Sequence, residues 1–216
     1  MAVSNPPPLA DSYVIAIAGG SGSGKSTLAN ALVSELGSSF ATVLAIDAYY
    51  HDLAHLSLTE RERTNFDHPD ALDLALFEQH VLALKAGQTI QQPCYDFGTH
   101  CRQAQTTEII PRKWMVVEGI LVTATASLRA LYDQVIYVEA DRTVRWQRRL
   151  LRDQRDRGRD EASIAQFWAR AEDTFMTQGS TASQYAHLII SGEQALDANV
   201  RHIMKVICGS DLSSSQ

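Results

Sequence analysis

The sequence predicts an α/β fold in which a parallel sheet is covered by helices on both faces. Two observations predict it. Short apolar runs rich in β-branched residues alternate with longer amphipathic segments, the rhythm of parallel strands joined by crossover helices. A glycine-rich turn over residues 19–25 falls between the first such run and the first amphipathic segment. With 216 residues, 45% of them hydrophobic, the chain can bury one sizeable core. One domain is therefore expected over about residues 12–209.

The expected strands are 13–18, 42–46, 114–121, 135–138 and 188–190, each short and apolar. Helices are expected over 26–36, 71–86, 143–155, 161–176 and 195–207, where apolar residues recur at helical spacing. Residues 88–111 break the rhythm with Pro93, Gly98 and alternating polar residues, which reads as a β-hairpin standing off the sheet. Residues 1–11 carry Pro6-Pro7-Pro8 and no Lys or Arg, and are expected to be a disordered lead-in lacking the regions of a signal peptide. The polar stretch 210–216 is expected to fray.

Composition narrows the function. A net charge of -6 argues against a protein that coats nucleic acid, and no window of about 20 apolar residues is present to span a membrane. Cys94, Cys101 and Cys208 make no metal-type spacing and are odd in number, which suits a reduced, cytoplasmic protein. His51 and His55 stand four apart, but no third ligand accompanies them, so they read as solvent-facing.

The turn itself, Gly19-Gly20-Ser21-Gly22-Ser23-Gly24-Lys25-Ser26, matches G-x-x-x-x-G-K-[ST] at every fixed position. Glycines let successive backbone N–H groups converge on phosphate oxygens, and the following helix adds its positive end. Lys25 is expected to reach the outer phosphates, Ser26 to ligate Mg²⁺, and Thr27 to cap the helix or meet an inner phosphate. The fold is then the three-layer sandwich of the P-loop NTPases. Switches, motors and kinases share that loop, so the reaction must be read elsewhere.

Asp47 and Glu118 each close an apolar strand, which puts both at the carboxyl edge of the sheet, where ligands bind. Glu118 suits a metal-shell role. Asp47 suits a general base that also touches Mg²⁺ through water. Eight of the nineteen Lys and Arg residues fall between Arg142 and Arg159. Arg145, Arg148, Arg149 and Arg152 recur at helical spacing, and Arg157-Gly158-Arg159 follows. In an acidic protein that binds a polyanion, such a run reads as a lid over about 145–165 that closes on the triphosphate. Phe66 and Asp67 in one cluster, and Tyr95, Phe97 and His100 in another, set aromatics beside hydrogen-bonding groups. By spacing alone, a nucleoside pocket and a packed hairpin both remain open.

Taken in order, residues 19–27, Asp47-Ala48-Tyr49-Tyr50, 65–70, Tyr95-Asp96-Phe97 with His100 and Arg102, Glu118-Gly119-Ile120-Leu121, 148–153 and Arg157-Gly158-Arg159 resemble the uridine kinase (uridine–cytidine kinase) family. That family belongs with phosphoribulokinase and pantothenate kinase, and the resemblance covers about residues 13–207. It implies transfer of the γ-phosphate of ATP or GTP, with Mg²⁺, to the 5′-hydroxyl of uridine or cytidine. By resemblance, Asp47 is the catalytic base and Asp67 holds the ribose hydroxyls, with Phe66 and Tyr50 beside them. Arg149 also reaches the ribose. Tyr95, Phe97 and His100 stack on and read the pyrimidine, with Arg102 in the same hairpin. Arg152, Arg157 and Arg159 lie near the phosphates, and Gln166 matches a sugar-contacting glutamine if one residue is missing before it. Tetramers are common in the family.

The chain also departs from that pattern. Glu172-Asp173 stands where the family commonly has a basic residue and proline, and His187 where it has an acid. Ala48 replaces a frequent serine, and Cys94 and Gly98 replace bulkier apolar residues. Two alternatives therefore remain: a kinase of another small alcohol, like phosphoribulokinase or pantothenate kinase, and a nucleotide-binding regulatory protein with weak transfer.

Overall fold

The computed structural model describes residues 12–211; the lead-in over 1–11 and the end of the tail, 212–216, lie outside them. Strand β1 (Tyr13–Gly19) enters the phosphate loop and helix α1 (Lys25–Leu36). Then come β2 (Ala41–Ala45), a 3₁₀ turn (Ile46–Tyr49), α2 (Leu58–Arg61), a second 3₁₀ turn (Pro69–Ala71) and α3 (Leu74–Lys85). Strands β3 (Ile90–Asp96) and β4 (Cys101–Ile109) form the hairpin. The chain continues through β5 (Trp114–Gly119), α4 (Ala126–Arg129), β6 (Gln134–Glu139), α5 (Arg142–Arg157) and α6 (Glu161–Thr174). A π turn and a 3₁₀ turn lead to β7 (Leu188–Ser191) and α7 (Leu196–Asp211).

Five strands make one sheet in the order β2-β5-β1-β6-β7, all parallel, and the β3-β4 hairpin stands apart. Strand β1 lies at the centre and is apolar throughout, as a strand covered on both faces must be. Its alternation assigns the two cores: Val14, Ala16 and Ala18 face one, Ile15 and Ile17 the other. The first is filled by Phe77, Val81 and Leu84 of α3, the second by Leu28 and Leu32 of α1 and by Val200, Ile203 and Ile207 of α7. None of the helices in the described residues is long and apolar enough to cross a membrane.

Several boundaries differ from expectation, each for a local reason. The second strand stops at Ala45 because residues 46–49 wind into a 3₁₀ turn. The third helix begins at Leu74, three residues late, because Pro69 starts a separate turn and the Asp73 carboxylate caps the helix by accepting from the Leu76 amide at 3.1 Å. The strand expected to reach residue 121 ends at Gly119. The last helix runs to Asp211, so the expected tail begins later than residue 210.

The register delivers the site. Glu118 lies opposite Ile17 of β1 and Ala45 of β2, so its carboxylate emerges between the phosphate loop and the turn that carries Asp47. Arg102 ties the hairpin to that turn. Its guanidinium donates to the carbonyls of Tyr50 (2.7 Å) and Tyr49 (3.0 Å) and pairs with Asp73 at 3.3 Å.

Candidate active site

The loop after β1 bends where only glycine can bend. Gly22 sits at φ +79°, and a Cβ there would collide with the backbone carbonyl of Arg145. Gly24, at φ +98°, caps α1 without a side chain. The first intrahelical bond runs from the Leu28 amide to the Gly24 carbonyl at 3.0 Å, so the amides of Lys25, Ser26 and Thr27 have no partner within the helix. Lys25 is buried beneath the loop, and the buried Ser23 Oγ has no protein partner. Open amides, a lysine and a helix N-terminus converge on one point, and the point suits a phosphate.

Ser26 Oγ donates to Glu118 Oε2 at 3.1 Å. Burial raises the pKa of Glu118; Lys25 pulls against that shift, while the neighbouring Asp47 adds to it. Hydroxyl and carboxylate oxygens beside a phosphate cradle fit Mg²⁺, which takes one or two protein carboxylates and completes its shell with phosphate and water. Among the described residues no group of three or more His, Cys, Asp or Glu side chains could hold a metal by itself.

Beside the cradle opens a pocket that Lys25 and Ser21 share with it. Its walls are aromatic. Tyr50 stands at the centre, with ring centroids 5.4 Å from Phe66 and 5.2 Å from Tyr95, and Phe97 packs edge-on to Tyr95 at 5.3 Å. His100 stacks flat on Phe66 at 4.5 Å and faces Phe167 of α6 at 6.1 Å. Charged side chains share the lining, among them Lys25, Asp47, Asp67 and four arginines. Burial raises the pKa of Asp67, opposed by Arg149. Burial, with Asp47 and Asp67 facing it, pushes the Tyr50 phenol well above its ordinary range, so the hydroxyl stays neutral. The buried Tyr95 hydroxyl has no protein partner.

His100 takes a left-handed backbone at φ 56°, in a turn where Asp96 Oδ1 accepts from the Gly98 amide at 2.8 Å. Its Nε2 lies 3.2 Å from Arg159 Nη2. Burial, with Arg159, Arg157 and Arg61 nearby, lowers its pKa to about 4. The ring is therefore neutral at pH 7, with its Nε2 lone pair toward Arg159.

The arginines between the two sites converge on Asp153, which is fully buried. Arg152 reaches it at 2.7 Å, Arg149 and Arg157 at 3.6 Å, and Arg159 at 3.7 Å. Burial alone would raise the Asp153 pKa, but Arg157, Arg152 and Arg149 outweigh it and hold the carboxyl below its usual range. Arg157, partly desolvated beside Arg152, is lowered to about 10 and keeps its charge at neutral pH. Asp153 Oδ2 and Arg149 Nε are both buried without a hydrogen bond. The cluster is held by charge, and donor capacity is left open for an anion.

Every acceptor-side residue expected from the sequence lines this pocket except Arg102 and Gln166. Arg102 spends its donors on the Tyr49 and Tyr50 carbonyls, and Gln166 lies on the exposed outer face of α6. One position on turns the helix by about 100°, so Phe167 takes the inward place. The arginines at helical spacing on α5 find different partners. Arg145 is buried in a bidentate pair with Glu172, its Nη1 3.0 Å from Oε2. Arg148 donates to the carbonyls of Gly192 (3.0 Å) and Ser23 (3.3 Å). It lines a separate pocket with Thr27 and Asn199. The residues given no role of their own from sequence are Phe167, Ile120 and Asp153. Only Asp153 carried a signal, as a carboxylate set among arginines. The departures at Glu172 and His187 are absorbed locally: Glu172 partners Arg145, and His187 Nδ1 accepts from the Val135 amide at 2.9 Å.

A loop that grips polyphosphate, opened toward a second pocket across a belt of cations, holds a phosphoryl donor and an acceptor in one enclosure. The chain is a P-loop kinase, and comparison with known proteins narrows the class. It belongs to the phosphoribulokinase/uridine kinase family, whose pattern matches residues 14–198. It is similar to a uridine kinase from Alkaliphilus metalliredigens, 38% identical over 198 residues that cover 89% of this chain and 95% of that one. A uridine kinase from Shewanella baltica is 40% identical over 182 residues, covering 82% and 86%. The solved phosphoribulokinase from Rhodobacter spheroides shares the fold, with a TM-score of 0.62 at 14% identity over 84% of this chain and 70% of that one.

Two outcomes follow from this geometry. Folding lowers the His100 pKa from 6.5 to about 4, so as the pH falls the unfolded chain takes up that proton first. The contribution of His100 to stability is complete above about pH 6.5 and falls away between there and pH 4. Urea denaturation across that range should lose this component in His100→Asn; an unchanged pH profile counts against a neutral His100. Asp153→Asn leaves the guanidinium cluster without its counter-charge and should cost about 3 kcal/mol of stability in chemical denaturation. Added sulfate should restore part of the loss.

Proposed function

We propose that this kinase moves the γ-phosphate of ATP, or of GTP, to the 5′-hydroxyl of uridine or cytidine, giving the nucleoside monophosphate. The observation that carries the reading is the composition of the acceptor pocket. Asp47 and Asp67 stand within one aromatic enclosure, with Lys25 at its phosphate end. A flat base between aromatic rings and a sugar diol on a carboxylate match that enclosure. The uridine kinase relatives support the same acceptor.

In this reading Tyr95, Phe97 and His100 hold the pyrimidine. The neutral imidazole and the free Tyr95 hydroxyl offer a donor and an acceptor to its edge. Asp67 binds the 2′- and 3′-hydroxyls with Arg149 beside it, and this fixes the 5′-hydroxyl next to Asp47. Asp47 takes the hydroxyl proton as the oxygen attacks. Lys25, Arg152 and Arg157 neutralise the charge that spreads over the transferring group, and Arg159 closes the enclosure from the turn after α5. Ser26 and Glu118, with Asp47 nearby, would hold Mg²⁺, which would offset the charge of the outer phosphates. The rest is positioning: two substrates held in line and shielded from water.

An acceptor panel tests the substrate. With labelled ATP and magnesium, uridine and cytidine should release ADP, whereas ribulose 5-phosphate, glycerate and pantothenate should not; transfer to one of the latter alone overturns the proposal. Asp47→Asn tests the base. Turnover should fall about 10²–10⁴-fold while ADP affinity stays near that of the wild type, and near-normal turnover would exclude Asp47 as the base.

A further inference from the structure

Helix α6 touches both substrate sites, and its contacts at the two ends differ in kind. Near its middle, Phe167 faces His100 in the acceptor pocket. At its C-terminal end, Thr174 is buried and its Oγ accepts from Asn65 Nδ2 at 2.8 Å. Asn65 in turn accepts the Asp67 amide on its Oδ1 at 3.2 Å. The last turn of α6 therefore holds the loop that carries the acceptor-side carboxylate.

The neighbouring face of that turn holds the phosphate loop. Glu172 and Arg145 are both buried and joined by a bidentate pair. The Arg145 guanidinium lies 4.6 Å from the Phe175 ring and 5.3 Å from that of Trp168. Nothing but hydrogen separates these groups from the loop. A Cβ on Gly20 would stand 2.7 Å from Arg145 Nη1 and 3.1 Å from the Phe175 ring. The Arg145 carbonyl also fills the space beside Gly22. Residues 20–22 thus rest on Arg145, whose guanidinium is held by Glu172.

We propose that α6 couples the two sites, with Glu172 and Arg145 as positioning residues on the donor side and Thr174 with Asn65 on the acceptor side. Ordering of the Asp67 loop around an acceptor pulls on Thr174. The same rigid turn moves Glu172, and with it the floor of the phosphate loop. Donor affinity then rises when the acceptor loop is ordered, and the reverse holds by linkage. A helix is suited to the role because its backbone bonds hold residues 172 and 174 at fixed separation. Tight packing transmits the shift because an interior cannot deform continuously. The inference rests on the acceptor pocket proposed above, so its test begins with the donor alone.

ADP affinity with magnesium is measured by calorimetry for Thr174→Val, Glu172→Gln and the double variant. Thr174 touches neither pocket, so a purely local role leaves ADP binding unchanged. Coupling predicts that Thr174→Val weakens ADP about fivefold or more, that Thr174→Ser restores it, and that Thr174→Val adds nothing once Glu172→Gln is present. Wild-type affinity in Thr174→Val, or full additivity in the double variant, overturns the proposal. Should Thr174→Val fail to fold, Asn65→Ala breaks the same hydrogen bond from the other side and replaces it in the cycle. A second arm adds uridine, which should tighten ADP binding in the wild type and not in Glu172→Gln. Uridine that binds without tightening ADP overturns the coupling. If uridine does not bind the wild type at all, the proposed acceptor falls, and the donor-only cycle still decides the coupling.

Discussion

Concentrating positive charge without liganded anions is the constraint on which this site depends. Arg149, Arg152, Arg157 and Arg159 stand close together, and in a partly desolvated space their mutual repulsion would scatter them. Asp153 prevents that. Its carboxylate is buried and lies within 3.7 Å of each of the four. The balance is deliberately incomplete in charge. One carboxylate against several guanidinium groups leaves a surplus aimed between the pockets, where a polyphosphate is to be met. A fully neutralised cluster would be more stable and would have less to offer an anion.

Glu172 solves a different problem with the same chemistry. Arg145 is needed for its shape, because its backbone carbonyl and guanidinium fill the volume left by Gly22 and Gly20. Buried and unpaired, it would compete with Lys25 for phosphate or draw in water. The bidentate contact with Glu172 cancels its charge and orients it, and the rings of Trp168 and Phe175 cover its faces. The sequence therefore treats arginines three residues apart in opposite ways. Arg145 is neutralised and becomes a wall. Arg148 is directed at backbone carbonyls, and Arg149, Arg152, Arg157 and Arg159 line the pocket.

The acceptor side works through restricted chemistry as well. Aromatic rings stand beside charged side chains, so the pocket offers both flat apolar faces and hydrogen-bonding groups. The imidazole of His100 is kept neutral by burial and by neighbouring cations, so it adds hydrogen-bonding capacity to the pocket without adding charge. Arg102 shows how much of this depends on support. Its side chain does not line the pocket, yet it pins the hairpin to the Tyr49–Tyr50 carbonyls and so holds Tyr95 beside Tyr50.

The sequence by itself determined the elements and the phosphate loop. Both are written locally: in the alternation of apolar residues along β1, in Gly22 and Gly24 where the backbone must take positive φ, and in Lys25 and Ser26 at fixed distance from them. It also named Asp47 and Glu118 as groups at the carboxyl edge of the sheet, although Asp47 sits in the 3₁₀ turn after β2 and not on the strand. What the tertiary structure alone decided is the fate of side chains on helices that pack on two neighbours at once. Gln166 and Phe167 differ by one position, and only the angle of α6 against the hairpin sets which of them faces inward. Arg145, Arg148 and Arg149 are alike in sequence, and their roles separate only when Glu172, the Gly192 carbonyl and Asp153 arrive from distant segments. Local periodicity says which face of a helix is buried, but it carries no record of the partner, and charge takes its meaning from the partner.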